Sequence, residues 1–356
     1  MISAMINEIM LTKVSDYIEY LEEVDTIYFG GGTPSLLSAG EIKKLLAAVY
    51  HKFEVNGKPE ITLEVNPDDI NEIKLSEWKA AGINRLSIGV QSFKNEDLDW
   101  MNRAHNAEQA LHSMHLIKDA GFQNISVDLI YGTPTLSDDD WEKNVQTIVD
   151  LEVPHISCYA LTVEANTALQ KMISLKKKTD IESEKQAFQF LLLINWLQVA
   201  GYEHYEISNF AKPGFKSKHN SSYWQGKSYI GIGPSAHSFN GNSRRWNVSN
   251  NALYIQSMQK NIIPFEEEIL SEVQKLNEYI MTSLRTVEGI DLDFVKEKFG
   301  EGKKQNLQIA SAKWGDNSKI KNENDKIILT KEGKLFADGI AADLFFEETK
   351  VYGKLL

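Results

Sequence analysis

An α/β fold, with a largely parallel sheet flanked by helices and a smaller domain after it, is what this sequence predicts. Short β-branched runs alternate with helical apolar spacings through the first two-thirds of the chain, which is the mark of successive strand–helix units. That alternation fades beyond about residue 245. At 356 residues the chain also exceeds the roughly 250–300 at which single cores tend to split.

The elements follow in order. Thr26–Phe29 reads as a strand, and Ile42, Leu45, Leu46, Val49 and Phe53 follow at helical spacing. Ile61–Val65 is the next strand, then a short helix carrying Leu75 and Trp78 that Gly82 stops. Leu86–Val90 is a strand. Asn106 is placed to cap a helix with the stripe Ala110, Leu111, Met114 and Ile117. Ile125–Ile130 is a strand, and Ser137 with Asp140 reads as a capping pair before Trp141, Val145 and Ile148. His155–Ala160 is a strand. Ala187–Ala200 is apolar on nearly all sides, as for a helix packed on both flanks. Further strands are expected at 205–207 and 229–232, helices near 271–286 and 291–299, and a hairpin-like end around 327–329. A closed barrel and an open doubly wound sheet both fit this alternation.

Composition narrows the function classes. A net charge of −12, with Lys176, Lys177 and Lys178 the one basic run, argues against a nucleic-acid partner. The sequence has no run of 18 apolar residues and no charged, apolar and small-residue leader pattern at Met1, so a cytoplasmic location is expected. Cys158 is the single cysteine. An intrachain disulfide and an all-cysteine metal site are therefore impossible.

The chemistry-bearing segments follow strand ends. The strand Thr26–Phe29 runs into Gly30-Gly31-Gly32-Thr33-Pro34, a loop whose backbone can approach a polar ligand closely. A bare triple glycine is equally what a tight strand–helix turn needs. Four more segments accompany it: Leu63-Glu64-Val65-Asn66-Pro67, Arg85 to Phe93, Asn102-Arg103-Ala104-His105, and Val127-Asp128-Leu129-Ile130-Tyr131-Gly132-Thr133-Pro134. In order and spacing these five resemble the oxygen-independent coproporphyrinogen oxidase-like branch of the radical SAM superfamily.

The resemblance runs from about Tyr17 to Ala342 and implies an incomplete TIM-like radical SAM barrel over residues 1–245, its first strand missing. A smaller, mostly helical α+β domain over 246–356 would follow. It implies that Gly31, Gly32 and Thr33 hold the methionine end of S-adenosyl-L-methionine (SAM), while Glu64, Gln91, Arg103 and Asp128 line the rest of its pocket. Carboxylates suit the cationic and hydroxyl groups of SAM, and a guanidinium suits its carboxylate. Taken singly, Glu64 or Asp128 reads as a solvated or capping carboxylate, and Arg103 as a surface ion-pair partner.

A later run, Tyr205 to Ala211, His219-Asn220-Ser221-Ser222-Tyr223-Trp224 and Gly231 to Phe239, resembles the HemW heme chaperones. There the His-Asn-x-x-Tyr-Trp segment implies heme, with His219 as iron ligand and Tyr223 and Trp224 as flanking rings. Without that resemblance such a cluster reads as a satisfied structural histidine. His237 and His105 read as structural or loop-orienting, and Cys158 as a small buried apolar residue.

The same resemblance calls for three thiolates upstream of Gly30 to hold a [4Fe–4S] cluster, and none is present. The cluster is expected only in an N-terminally extended form, and this chain is not expected to cleave SAM reductively. A late start is the preferred explanation; a cluster-free descendant is the other. Beyond a heme chaperone with a separate acceptor protein, soluble or membrane-attached, two readings stay open. One is a coproporphyrinogen III dehydrogenase of heme biosynthesis, and the other a non-catalytic heme carrier. The missing strand is also expected to leave an open sheet edge.

Overall fold

The computed structural model describes residues 1–16 and 23–348, so Tyr17, where the resemblance begins, lies outside the described residues. The chain divides into two compact units. The first comprises Val24–Ala47 and Val55–His219, and the second comprises the described residues within Met1–Glu23, Ala48–Glu54 and Asn220–Leu356.

The first unit is built on one seven-stranded sheet. Strands β1 (Val24–Phe29), β2 (Val55–Val65), β3 (Arg85–Gln91), β4 (Asn124–Tyr131) and β5 (His155–Ala160) pair in sequence order and parallel. β6 (Glu203–Glu206) and β7 (Asn209–Ala211) complete it in the order β5-β7-β6, both antiparallel to their neighbours. The sheet curls as a half-barrel with helices outside. The expected run of parallel strands thus ends in a short antiparallel hairpin, because only two residues separate β6 from β7 and a parallel crossover needs a dozen or more. Among the described residues β1 is an edge, paired only with β2.

The side-chain period of two decides what each face of this sheet does. Ile61, Leu63, Leu86, Ile88, Ile125, Val127, Leu129, Ile156 and Cys158 are all buried on the outer face, which seals the sheet against its helices. Their alternates are polar: Glu60, Thr62, Arg85, Ser87, Ser126, His155 and Ser157 are buried on the concave face. Register confirms the layering, with Thr62 opposite Arg85, Ser126 opposite His155 and Asp128 opposite Ser157.

Local signals place the helices. Asn106 accepts from the Gln109 amide in a full capping box, Ser137 accepts from the Asp140 amide, and Gly82 closes the helix Glu72–Ala81 in the left-handed region. The helix Ser183–Val199 corrects the expectation of burial on both flanks. It buries the stripe Gln189, Phe190, Leu193, Ile194 and Leu197, while Phe188 and Val199 are exposed. Its mixed apolar face reflects sequence composition, and one packed side suffices to hold it.

The second unit has two three-stranded antiparallel sheets. β8 (His237–Phe239), β9 (Ser243–Asn247) and β10 (Phe265–Ile269) form one; β11 (Ile290–Asp291), β12 (Ile320–Glu323) and β13 (Lys326–Leu329) form the other. Tyr229, expected in a strand, makes only an isolated bridge to Phe239. The helices Glu272–Leu284, Leu292–Phe299 and Glu301–Asp316 complete the mostly helical α+β character expected of the C-terminal part.

The N-terminal helix Ile2–Leu11 belongs to this unit through one buried carboxylate. Glu8 accepts from the Gly233 amide at 2.8 Å, from Asn247 Nδ2 at 2.6 Å and from the Tyr254 hydroxyl. Burial raises its pKa, and these three donors oppose the rise. Glu8→Ala strands three buried donors at once, so urea denaturation should show a loss of about 2–4 kcal/mol. A change below about 0.5 kcal/mol, the level of an ordinary surface substitution, would mean that the helix is not anchored by this residue.

Candidate functional site at the strand ends

Parallel strands deliver their C-terminal ends to one rim, where α/β proteins place ligands. Glu64 is the first fixed point on that rim. Its carboxylate accepts from the Tyr28 hydroxyl at 2.8 Å and from the Gly31 amide at 3.2 Å, which ties the glycine loop down onto β2. A Cβ at Gly30 would lie 2.6 Å from the Tyr28 ring and 3.0 Å from Glu64 Oε1, so only glycine allows this approach. Gly31 and Gly32 are exposed with open space above them, and Thr33 is exposed at the start of the short turn Pro34–Leu36.

Gln91 ends β3 at φ 67° beside a register shift. Backbone outliers of this kind at a non-glycine residue concentrate at functional sites. Its side chain converges with two others over Gly89. A Cβ there would meet Gln91 Nε2 at 3.0 Å, Arg103 Nη2 at 3.3 Å and Asn66 Oδ1 at 3.7 Å. Arg103 Nη2 donates to Asn66 Oδ1 at 3.1 Å and to the Gly89 carbonyl at 3.3 Å, while its buried Nε has no hydrogen-bond partner. Burial lowers the Arg103 pKa against the opposing charges of Asp68 and Asp128.

Asp128 stands on β4 opposite Ser157, within range of the charges of Glu64, Arg85 and Arg103. Burial pushes its carboxyl up to about 7, with Glu64 adding to the rise and Ser157, Arg85 and Arg103 opposing it. The rim therefore holds a guanidinium with a buried, unpartnered N–H and a carboxylate whose charged form burial disfavours. A zwitterionic ligand carrying a carboxylate and a cation supplies both deficits.

His105 is buried behind the rim, with Nε2 2.9 Å from the Val90 carbonyl and Nδ1 4.0 Å from Asp68. It orients the loop after β3. Tyr28, Asn66 and Arg85 belong to the site although the sequence reading did not single them out. Period two from Gly30 finds Tyr28, the same period from Asp128's neighbours across the sheet finds Arg85, and Asn66 stands inside a recognised segment.

The heme candidates divide between the units. In the first, His219 Nδ1 lies 2.8 Å from Thr26 Oγ1, its ring stacks on Tyr28 at 4.6 Å, and its amide donates to Glu60 at 3.1 Å. Burial lowers its pKa to about 4, Glu60 opposing and Arg85 adding. In the second, the half-exposed Tyr223 meets Tyr229 edge to face at 4.8 Å, and Trp224 lies under Arg285 at 5.1 Å with its buried indole N–H unpartnered. His237 is exposed, 6.3 Å from the Trp246 ring.

A [4Fe–4S] cluster does not fit the residues present. Cys158 is 2% exposed on the outer, helix-covered face of β5, and burial holds its thiol well above the usual range. No group of three or more His, Cys, Asp or Glu side chains suited to a metal occurs among the described residues.

The Radical SAM superfamily matches residues 7–148. Over 339 residues the chain is 32% identical to the heme chaperone HemW of Bacillus subtilis, spanning 94% of this chain and 87% of that one. The HemW of Lactococcus lactis is 34% identical over 281 residues, 78% of this chain and 73% of its own length. Among solved structures, the coproporphyrinogen III oxidase HemN of Escherichia coli superposes with a TM-score of 0.79 at 22% identity, covering 96% of this chain and 82% of that chain; this likeness shows the fold.

The raised Asp128 pKa fixes a pH dependence. A carboxyl whose folded pKa exceeds its unfolded value favours the folded state below the unfolded pKa, and that contribution is lost as pH rises through the folded pKa. Between the ordinary carboxyl value of 3.8 and about 7, the stability of Asp128→Asn relative to wild type should rise with pH, by at most about 1.4 kcal/mol per unit. It should then level off. Thermal melts of both proteins across this range test it, and a difference that stays flat contradicts the buried, destabilised carboxylate.

Proposed function

Because this chain belongs to the radical SAM superfamily, in the group of the HemW heme chaperones, we propose that it binds SAM at the rim of β1–β4 and handles heme for delivery to an acceptor protein in the cytoplasm. The observation that carries the SAM reading is the meeting of Gln91, Arg103 and Asn66 over Gly89, next to an under-neutralised Asp128. Arg103 would take the SAM carboxylate through its unfilled N–H. The exposed backbone of Gly31 to Thr33 would face the methionine amino group. Glu64, held by Tyr28 and Gly31, and Asp128 would face the hydroxyl and cationic parts.

When bound, SAM brings a sulfonium whose carbon–sulfur bonds are activated. The contribution of this chain is to fix that ligand and screen it from water with the concave face of the sheet. No helix among the described residues is long and apolar enough to cross a membrane.

For heme, Tyr223 and Trp224 would each offer an aromatic side chain in the second unit. His219, its ring oriented by the Thr26 hydroxyl on Nδ1, would meet iron through Nε2, the usual division of labour in a ligating imidazole.

Two measurements test the proposal. In equilibrium dialysis, Arg103→Ala and Asp128→Asn should each weaken SAM binding at least about tenfold, or ~1.4 kcal/mol. In hemin titration, a Soret band should form with the wild type and vanish in His219→Ala. Wild-type affinities for SAM matched by both rim variants would overturn the SAM site. A Soret band unchanged in His219→Ala would remove the histidine from the heme reading.

A further inference from the structure

A buried carboxylate outside the binding scheme above ties three parts of the rim together. Asp97 has no exposed surface and lies in the first turn of the short helix Asn95–Trp100, just after β3. Its two oxygens face different loops. Oδ2 accepts from Ser92 Oγ at 2.8 Å, directly after β3. Oδ1 accepts from Thr135 Oγ1 at 2.5 Å and from Thr133 Oγ1 at 3.4 Å, in the loop after β4. Ser92, also without exposed surface, fills its whole hydroxyl capacity: it donates to Asp97 and accepts from the Lys94 amide at 3.1 Å and from Asn144 Nδ2 at 3.0 Å. Asn144 Oδ1 in turn accepts from the Phe93 amide at 3.0 Å.

The residue next to this knot is Gln91, at φ 67°. The Ser92 amide donates to the Val90 carbonyl at 2.9 Å, so Gln91 is the centre of a γ-turn of the rare, strained, positive-φ kind. Strain of this sort at a residue with a side chain persists only where the surroundings over-determine it. Both ends of the turn meet that condition. The Val90 carbonyl lies 2.9 Å from His105 Nε2 as well, and the Ser92 hydroxyl is held by its three bonds. The middle is left to aim the Gln91 amide over Gly89.

The far end of the same helix sets Arg103. Asn102 stands there at φ 57°, its amide donating to the Asp99 carbonyl at 3.1 Å, and the Arg103 amide donates to the Leu98 carbonyl at 2.9 Å. These paired bonds are a Schellman motif, which fixes the direction in which the chain leaves a helix. With only six residues in the helix, the placement of its first turn decides the placement of its end.

We propose that Asp97 is a positioning residue for the ligand rim. Through Ser92 it holds Gln91 in the positive-φ turn, through its own short helix it places Arg103, and through Thr133 and Thr135 it fixes both against the end of β4. The inference rests on the reading of Gln91 and Arg103 as ligand-facing groups. Apolar side chains would join these loops without the desolvation penalty of a buried carboxylate. What the carboxylate adds is direction, because each oxygen accepts from one loop and the two loops are locked at a set separation.

The test uses the full chain and two ligands. SAM carries the carboxylate assigned to Arg103, whereas 5′-methylthioadenosine shares the adenosyl and methylthio part and lacks both carboxylate and ammonium. Asp97→Asn keeps one acceptor where the carboxylate has two, so it cannot receive donors from both loops. Ser92→Ala removes the hydroxyl that joins Asp97 to Asn144, and either variant serves where the other folds poorly. In equilibrium dialysis each should bind SAM about tenfold more weakly, the weight of one hydrogen bond to a charged group. Affinity for 5′-methylthioadenosine should stay within about twofold, as for a group independent of the change. A merely structural knot would weaken both ligands alike.

A second readout needs no ligand. In the otherwise native chain the urea midpoint of Gln91→Gly should exceed that of Gln91→Ala, since glycine takes a positive φ without steric penalty. In the Ser92→Ala background the turn is free to relax. The order should then reverse, because glycine there only adds entropy to the unfolded chain.

Equal weakening of SAM and 5′-methylthioadenosine, or wild-type SAM affinity in both variants, overturns the positioning role. So does an order of midpoints that is the same in both backgrounds. A wild type that binds neither ligand while the midpoints reverse supports the clamp and counts against the SAM reading alone.

Discussion

The burial of charge on the concave face of a parallel sheet is the constraint from which the rest of this molecule follows. Apolar residues at every second position seal the outer face beneath helices, and the same register forces Glu60, Glu64, Arg85, Asp128 and His155 inward. An unpaired charge or polar group there costs several kcal/mol. Four of them are met by hydrogen bonds: Glu60 by the amides of Lys218 and His219, Glu64 by Tyr28 and Gly31, Arg85 by Asn124, and His155 by Ser126 and Tyr205. Arg103 Nε at the strand ends is buried without a hydrogen-bond partner, as is Thr62 Oγ1 within β2, and burial disfavours the charged form of Asp128.

Membership in the radical SAM superfamily sets the chemistry expected of such a rim, while the cysteine inventory of this chain limits it. The single thiol lies on the helix side of β5, where the strand period turns it away from the polar face. The rim groups proposed for SAM stand on the alternating side chains of β2 to β4 and on the loop after β1.

Much of this was legible in the amino-acid sequence because strands, caps and glycine loops are local. Asn106 and Ser137 announce helix starts by side-chain chemistry that acts within three residues, and Gly82 announces a helix end. Glu64, Gln91, Arg103 and Asp128 were named together by the resemblance, and they stand on the parallel strands β2, β3 and β4 and the segment after β3. What escaped was non-local. Tyr28 and Arg85 become site residues only once adjacent strands are in register. The antiparallel turn of β6 and β7 depends on a connection too short for a crossover. The anchoring of the N-terminal helix by Glu8 joins residues more than 220 positions apart. The separate environments of His219 and of Tyr223 with Trp224 could not be read from six contiguous residues. The exposed flank of Ser183–Val199 shows the converse: an apolar surface in sequence does not say how many sides will be covered.

The most direct test of the central claim is a crystal structure of this chain grown with SAM. The account predicts ligand density at the C-terminal ends of β1 to β4, with the ligand carboxylate on Arg103, the glycine-loop backbone against its amino group and Asp128 within contact of its cationic or hydroxyl atoms. Density at any other location, with the rim filled by ordered water at saturating ligand, would contradict it.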